Sequence, residues 1–225
     1  MKTIYRIVLT GLLSAITCSA FAVDSSRVFF EQTAHTLPKD SVSVDLEYSF
    51  ISSGLATGVR GGAFGGEVML NTASDSVSGF AFTSIGYKAS LQKGFSLYGV
   101  VSYFDDELSN FSATDFAIGG AFTVKTGDLQ FNINPELVTD DTGIRGGDNT
   151  IFVKGSAMFN LKNTGTSLIA EVILENNDFI DTVINLGGRW QPKNNVYVDL
   201  VLYSDAGDFG ATTGIPGYVI VNVKF

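Results

Sequence analysis

Along most of the chain, apolar and polar residues alternate with a period of two. Between residues 128 and 138, Leu129, Phe131, Ile133, Pro135 and Leu137 alternate with Gln130, Asn132, Asn134 and Glu136. Successive side chains of an extended strand point to opposite faces, so this pattern predicts one apolar and one polar face. The rhythm recurs in Val42, Val44, Leu46, Tyr48 and Phe50, set against Ser43, Asp45, Glu47 and Ser49. It recurs again in Leu168, Ala170, Val172 and Leu174, set against Ile169, Glu171, Ile173 and Glu175. The predicted strands are roughly 27–35, 41–51, 58–70, 79–91, 95–104, 114–125, 128–138, 149–161, 166–176, 182–191, 195–204 and 216–225, twelve in all. Segment 27–35 is the weakest. Segment 58–70 holds Gly61, Gly62, Gly65 and Gly66 and can bulge or kink. Nothing reads as a long amphipathic helix.

The connections carry a second rhythm. Short turns at Gln92-Lys93-Gly94, Thr126-Gly127, Lys162–Gly165 and Pro192-Lys193-Asn194 alternate with longer acidic connections from residue 91 onward. A soluble sandwich has no reason to keep such an alternation. A transmembrane barrel does, with tight turns at one end and larger loops at the other.

Composition narrows the class. The 225 residues carry a formal charge of -9, are 45% hydrophobic and only 16% charged, and hold 25 Gly against 4 Pro. A disordered chain needs low hydrophobicity and high charge, and a nucleic-acid binder needs a basic surface. No nucleic-acid partner is therefore expected. One His and one Cys leave little material for a metal site or a cysteine nucleophile. Residues 1–22 read as a secretory signal: Lys2 and Arg6, then an apolar run, then Ala20-Phe21-Ala22 as a cleavage site. Cleavage there removes Cys18 and leaves residues 23–225 as a single domain without cysteine. No later segment approaches the roughly 18 apolar residues of a membrane helix.

The last residues run Tyr218-Val219-Ile220-Val221-Asn222-Val223-Lys224-Phe225. Val219, Val221 and Val223 share one face and lead to a terminal aromatic. This resembles the C-terminal signal of Gram-negative outer-membrane β-barrel proteins, of which porins are a part. Position 223 holds Val where that signal often has an aromatic. The resemblance implies that Tyr218, Val219, Val221, Val223 and Phe225 form the closing strand and are read by the barrel-assembly machinery. The expected fold is all-β, a transmembrane antiparallel barrel of about twelve strands. Ten follow if 27–35 stays periplasmic and 58–70 folds inward. Physics links these features, because a membrane-spanning chain must satisfy its backbone hydrogen bonds internally, and a closed barrel does so without helices.

With the C-terminus periplasmic, the long loops lie outside. They hold Asp105, Asp106, Glu107, Asp140, Asp141, Asp148, Asp205 and Asp208, with Asp75, Asp178 and Asp181, against one base, Arg145. Such a mouth enriches cations, or binds lipopolysaccharide phosphates through divalent ions; solubility alone also accounts for it. Charges on the strands must face inward, since on the lipid face they cost a few kcal/mol each near the midplane. Asp45, Glu47, Glu67, Glu136, Glu171, Glu175 and Asp199, with Lys154 and Arg189, are thus the expected lumen lining. They either pair into ladders that fill the barrel or line a hydrated path. Phe152, Met158, Ile169, Tyr197, Val201 and Tyr203 share that face and predict a narrow or partly plugged lumen. Tyr48, Phe50, Tyr87, Phe95, Tyr103, Trp190 and Phe225 lie near strand ends, as an interfacial girdle would.

The expected function is a porin-like channel for passive diffusion of small hydrophilic or cationic solutes, with no cofactor, no metal and no catalytic residue. The expected surroundings are outer-membrane lipids and lipopolysaccharide. One alternative is a barrel without transport, structural or adhesive through its loops. Another is a barrel enzyme acting on lipids. The one histidine, His35, sits before Leu37-Pro38, and Glu171 and Glu175 are separated by roughly 13 Å of strand rise. Neither forms an acid–base couple.

Overall fold

The computed structural model describes residues 27–28, 31–49, 54–74, 80–106, 111–139, 149–176, 182–205, 212–213 and 218–225. Residues 1–26, where the signal peptide is expected, lie outside that set. Twelve strands form the wall: β1 Val42–Ser49, β2 Leu55–Ala63, β3 Gly66–Ser74, β4 Phe80–Gln92, β5 Phe95–Asp106, β6 Phe111–Thr126, β7 Leu129–Thr139, β8 Thr150–Leu161, β9 Thr166–Glu175, β10 Thr182–Lys193, β11 Val196–Asp205 and β12 Tyr218–Lys224. Each strand pairs antiparallel with the next in sequence. The ring closes where β12 pairs β1 from Tyr218↔Ser49 to Lys224↔Ser43. Two further backbone bonds finish the seam, Val42 N–H to the Phe225 carbonyl at 3.1 Å and Phe225 N–H to the Val42 carbonyl at 2.7 Å. The fold is a closed twelve-strand antiparallel β-barrel.

The count of twelve is reached by a different route from the sequence reading. Segment 27–35 is not a wall strand: Arg27–Val28 and Glu31–Gln32 pair only with each other, and the following residues enter the barrel. Segment 58–70 is not one strand but parts of β2 and β3, joined by a two-residue turn at Phe64-Gly65. Both turn residues have positive φ, 53° and 78°. That is the geometry of a turn whose twist matches the flanking strands. Short turns and longer connections therefore alternate around the whole barrel. The short-turn end carries Phe64-Gly65, Lys93-Gly94, Gly127-Asp128, Lys162–Gly165 and Asn194-Asn195, together with Val42 and Phe225.

The alternation sorts side chains as a barrel requires. On β7, Gln130, Asn132 and Asn134 are buried, while Phe131, Ile133 and Leu137 are exposed. Leu46, Leu70, Ile85, Ile118, Val153, Leu168, Leu186 and Leu200 extend the apolar exterior around the ring. A soluble protein buries such residues, and here it is the polar ones that are buried. Among the exterior aromatics, Tyr48 and Tyr103 sit toward the long-loop end. Tyr87, Trp190 and Phe225 sit toward the short-turn end, where Phe95 stacks on Phe122 at 4.5 Å. Phe50 lies outside the described residues.

The turn makes a test. Gly65→Val should cost about 1–2 kcal/mol, because a β-branched residue is strained in the left-handed region, and should lower the urea midpoint of the refolded barrel. Phe64→Asn should leave the midpoint unchanged or raise it, since Asn tolerates positive φ and Phe64 is fully exposed.

Candidate functional site: the lumen

An eight-stranded barrel is filled by its own side chains, while sixteen or more strands leave an aqueous channel. Twelve lies between, so the inward side chains decide what the interior holds. Every one of Asp45, Glu47, Glu67, Glu136, Lys154, Glu171, Glu175, Arg189 and Asp199 is buried or half-buried on the inward face. Strand pairing brings several of them together across neighbouring strands.

On the closing side, Arg60 of β2 grips Asp45 of β1 with Nε at 3.0 Å from one carboxylate oxygen and Nη2 at 3.2 Å from the other. Asn222 of β12 donates to the same carboxylate at 2.6 Å, so one acid ties together three strands across the seam. Further round, Arg189 of β10 meets Asp199 of β11 in a second two-pronged pair, both bonds 2.7 Å. The Arg189 guanidinium lies 3.9 Å from the ring centre of Tyr197, which covers its other face. Planar Arg–carboxylate pairs of this kind are the strong ones.

The opposite wall has its own network. Lys154 of β8 pairs with Glu136 of β7 at 2.8 Å, and the Tyr98 hydroxyl donates to the second oxygen of Glu136 at 2.8 Å. Tyr98 reaches from β5 to β7 by lying across Gly119, the residue that pairs with both. A side chain at 119 would collide with the Tyr98 ring. Nearby, Asn132 accepts from Thr123 at 2.8 Å and donates to Ser156 at 2.9 Å. Asn185 donates to Glu171 at 2.8 Å. Glu67 pairs with Lys88 at 3.3 Å on adjacent strands, both fully buried.

Two regions of the interior differ in filling. Toward β8–β12, Met158, Ile169 and Val201 form an apolar cluster with Tyr218 packed against it. Beside β1–β4 a cavity of about 360 Å³ remains, walled by Asp45, Glu47, Asn71 and Ser84, with Lys154 and Gln32 also lining it. On that wall Asp45 is held by Arg60 and Asn222, and Lys154 by Glu136.

Arg60, Lys88, Asp115 and Tyr98 also face inward, beyond the lining expected from sequence, and Tyr197 does so as expected. Lys88 and Lys224 are buried on the inward face of the wall. The expected mouth is only partly described. Asp105 and Asp106 end β5, and Asp205 ends β11. Glu107, Asp140, Asp141, Asp148 and Asp208 lie outside the described residues, as do Asp75, Arg145, Asp178 and Asp181. In the closing strand, Val219, Val221 and Val223 take the outward positions, Tyr218 faces inward, and Phe225 is exposed at the short-turn end.

No family model matches the sequence, and no curated protein does. Solved structures do. The KdgM porin, in complex with disordered oligogalacturonate, aligns with a TM-score of 0.53 at 12% identity, covering 82% of this chain and 98% of that one. The NanC porin aligns at 0.49 with 13% identity, covering 82% and 98%. LpxR from Salmonella typhimurium aligns at 0.48 with 11% identity, covering 83% and 99%. The likeness to KdgM is one of fold: this chain shares the barrel architecture of that porin.

The paired charges are testable. Arg189→Leu should destabilise the barrel by about 3–5 kcal/mol, because it strands the buried Asp199 carboxylate. Arg189→Leu with Asp199→Leu should recover most of that loss. Urea unfolding in lipid vesicles, followed by fluorescence of the single tryptophan Trp190, measures both.

Proposed function

We propose that this chain is a porin-like channel of the bacterial outer membrane that passes small hydrophilic or cationic solutes by passive diffusion through a narrow lumen, without enzymatic activity. The observation that carries the reading is the polar interior of the closed barrel, with a cavity whose lining includes Asp45, Glu47, Asn71 and Lys154, set inside an apolar exterior. The exterior suits lipid and the interior suits water. KdgM, a porin, has the same fold.

The remaining parts fit around that core. A cleaved signal peptide at residues 1–22 delivers the chain for export, and the closing strand with Phe225 engages the barrel-assembly machinery. The short-turn end then faces the periplasm. The acidic loops at the opposite end meet lipopolysaccharide, with divalent ions bridging carboxylate to phosphate, and concentrate cations at the entrance. His35 lies in the N-terminal segment, where its backbone N–H bonds to Thr33. Among the described residues no group of three His, Cys, Asp or Glu side chains is placed to hold a metal ion.

A second reading has one observation in its favour. The Met158–Ile169–Val201 cluster fills part of the interior as a core would, which suits a non-transporting surface barrel. Planar-bilayer recording separates the two. The channel reading expects small, discrete conductance steps and a reversal potential in a salt gradient that favours cations. That preference should weaken toward 1 M salt, where the Debye length falls to about 3 Å. Verified insertion without reproducible conductance would overturn the channel.

Membrane embedding has a separate test. Ile133 sits at the middle of β7 on the exterior. Ile133→Arg should cost about 2–4 kcal/mol in bilayers, and a loss below a few tenths would contradict a lipid-facing position.

A further inference from the structure

Residues 32–38, which overlap the predicted strand 27–35, run inside the barrel. The segment starts beside β1, where the Pro38 carbonyl accepts from Ser41 N–H at 3.2 Å and packs against Gly62 of β2. From there it crosses the interior. Leu37 N–H donates to Glu67 Oε2 on β3 at 2.9 Å. The Gln32 side-chain oxygen accepts from Lys88 Nζ on β4 at 3.3 Å. Ala34 N–H donates to Thr123 Oγ1 on β6 at 2.8 Å. Thr33, Ala34 and Leu37 are buried almost completely. The segment is thus anchored to inward-facing groups on β3, β4 and β6 and packed against β2, toward the short-turn end.

We propose that Gln32–Pro38 is a strap across the lumen that sets its limiting aperture and so decides which solutes pass. The proposal rests on the channel reading and deepens it. Two features of the wall are otherwise unexplained. The Glu67–Lys88 pair is fully buried toward the short-turn end of the interior, where a water-filled barrel would hydrate it; the strap dehydrates it and uses both partners as anchors. Gly62 leaves the space that the Pro38 carbonyl fills, and any side chain there would collide with it. Above the strap lies the cavity, with Gln32 on its lining beside Asp45, Glu47 and Lys154. A solute entering from the long-loop end meets the strand-end acids Asp105, Asp106 and Asp205 first, then the wall of Asp45, Glu47 and Lys154, and the strap next. The class admitted is therefore compact cations, such as potassium or ammonium, with bulky quaternary ammonium ions held back.

The test compares full-length protein with a variant lacking residues 32–38 in planar bilayers, using potassium and tetraethylammonium as probes. Heat-modifiable migration verifies that each barrel is folded. The strap predicts that its deletion raises potassium conductance by about twofold or more and admits tetraethylammonium, which the intact protein excludes. A silent intact protein with a conducting deletion variant also supports the strap. Equal conductance and equal exclusion in the two proteins would overturn the strap and leave the channel reading standing. No conductance from either would overturn both. Should the deletion variant fail to fold, Gln32→Glu serves, since it adds a carboxylate to the cavity lining and leaves the backbone intact. It should shift the reversal potential further toward potassium, and an unchanged potential would overturn the proposal.

Discussion

The rest of the structure depends on one constraint: no backbone N–H or C=O of the wall can be left without a partner. In water an open sheet edge is solvated; in hydrocarbon each orphaned group costs several kcal/mol. The pairing of β12 with β1 removes the two edges that any sheet of this length would have. Closure then dictates the side chains. With one face against lipid and the other enclosed, each strand must alternate, and the enclosed face must take every charge that the exterior cannot.

The interior meets its own version of that constraint. Buried charges are tolerated when paired and costly when not. The bases whose ion pairs line this lumen, Arg60, Lys88, Lys154 and Arg189, each lie against a carboxylate of a neighbouring strand. Asp45 extends the idea to the seam, where it holds Arg60 and Asn222 at once. These pairs do two things together. They neutralise positive charge along the wall, and they pin the register of adjacent strands, which a slip by one residue would turn inside out. Asp45 and Glu47 lie on the cavity wall with Lys154, and the channel reading draws its cation preference from the acidic long-loop end as well as from that wall.

How much of this was legible in the sequence depends on whether the signal was local. The faces of β7 can be read directly from Gln130, Asn132 and Asn134 against Phe131, Ile133 and Leu137, because periodicity is a property of the strand alone. Arg60 and Lys88 could not be found that way. In an unbroken strand over 58–70, Arg60 and Glu67 are seven apart and point to opposite faces. Only the two-residue turn at Phe64-Gly65 lets both face inward and sets Glu67 opposite Lys88. Four glycines marked the region without fixing where the chain reverses. The inward course of residues 32–38 was less legible still: it is set by Thr123, Glu67 and Lys88, remote in sequence, and nothing in Thr33–Leu37 alternates. The lumen charges were thus readable as a set, while their pairing, and the segment lying among them, were not.

The central claim is that the wall is a closed ring with no edge strand. Amide hydrogen exchange of the protein in lipid vesicles tests it most directly, read on the two strands that closure joins. The account predicts that the amides of Val44, Leu46, Val221 and Val223 exchange as slowly as those in the middle of β6. Fast exchange confined to β1 and β12, with β6 protected, would mean an open sheet and would contradict it.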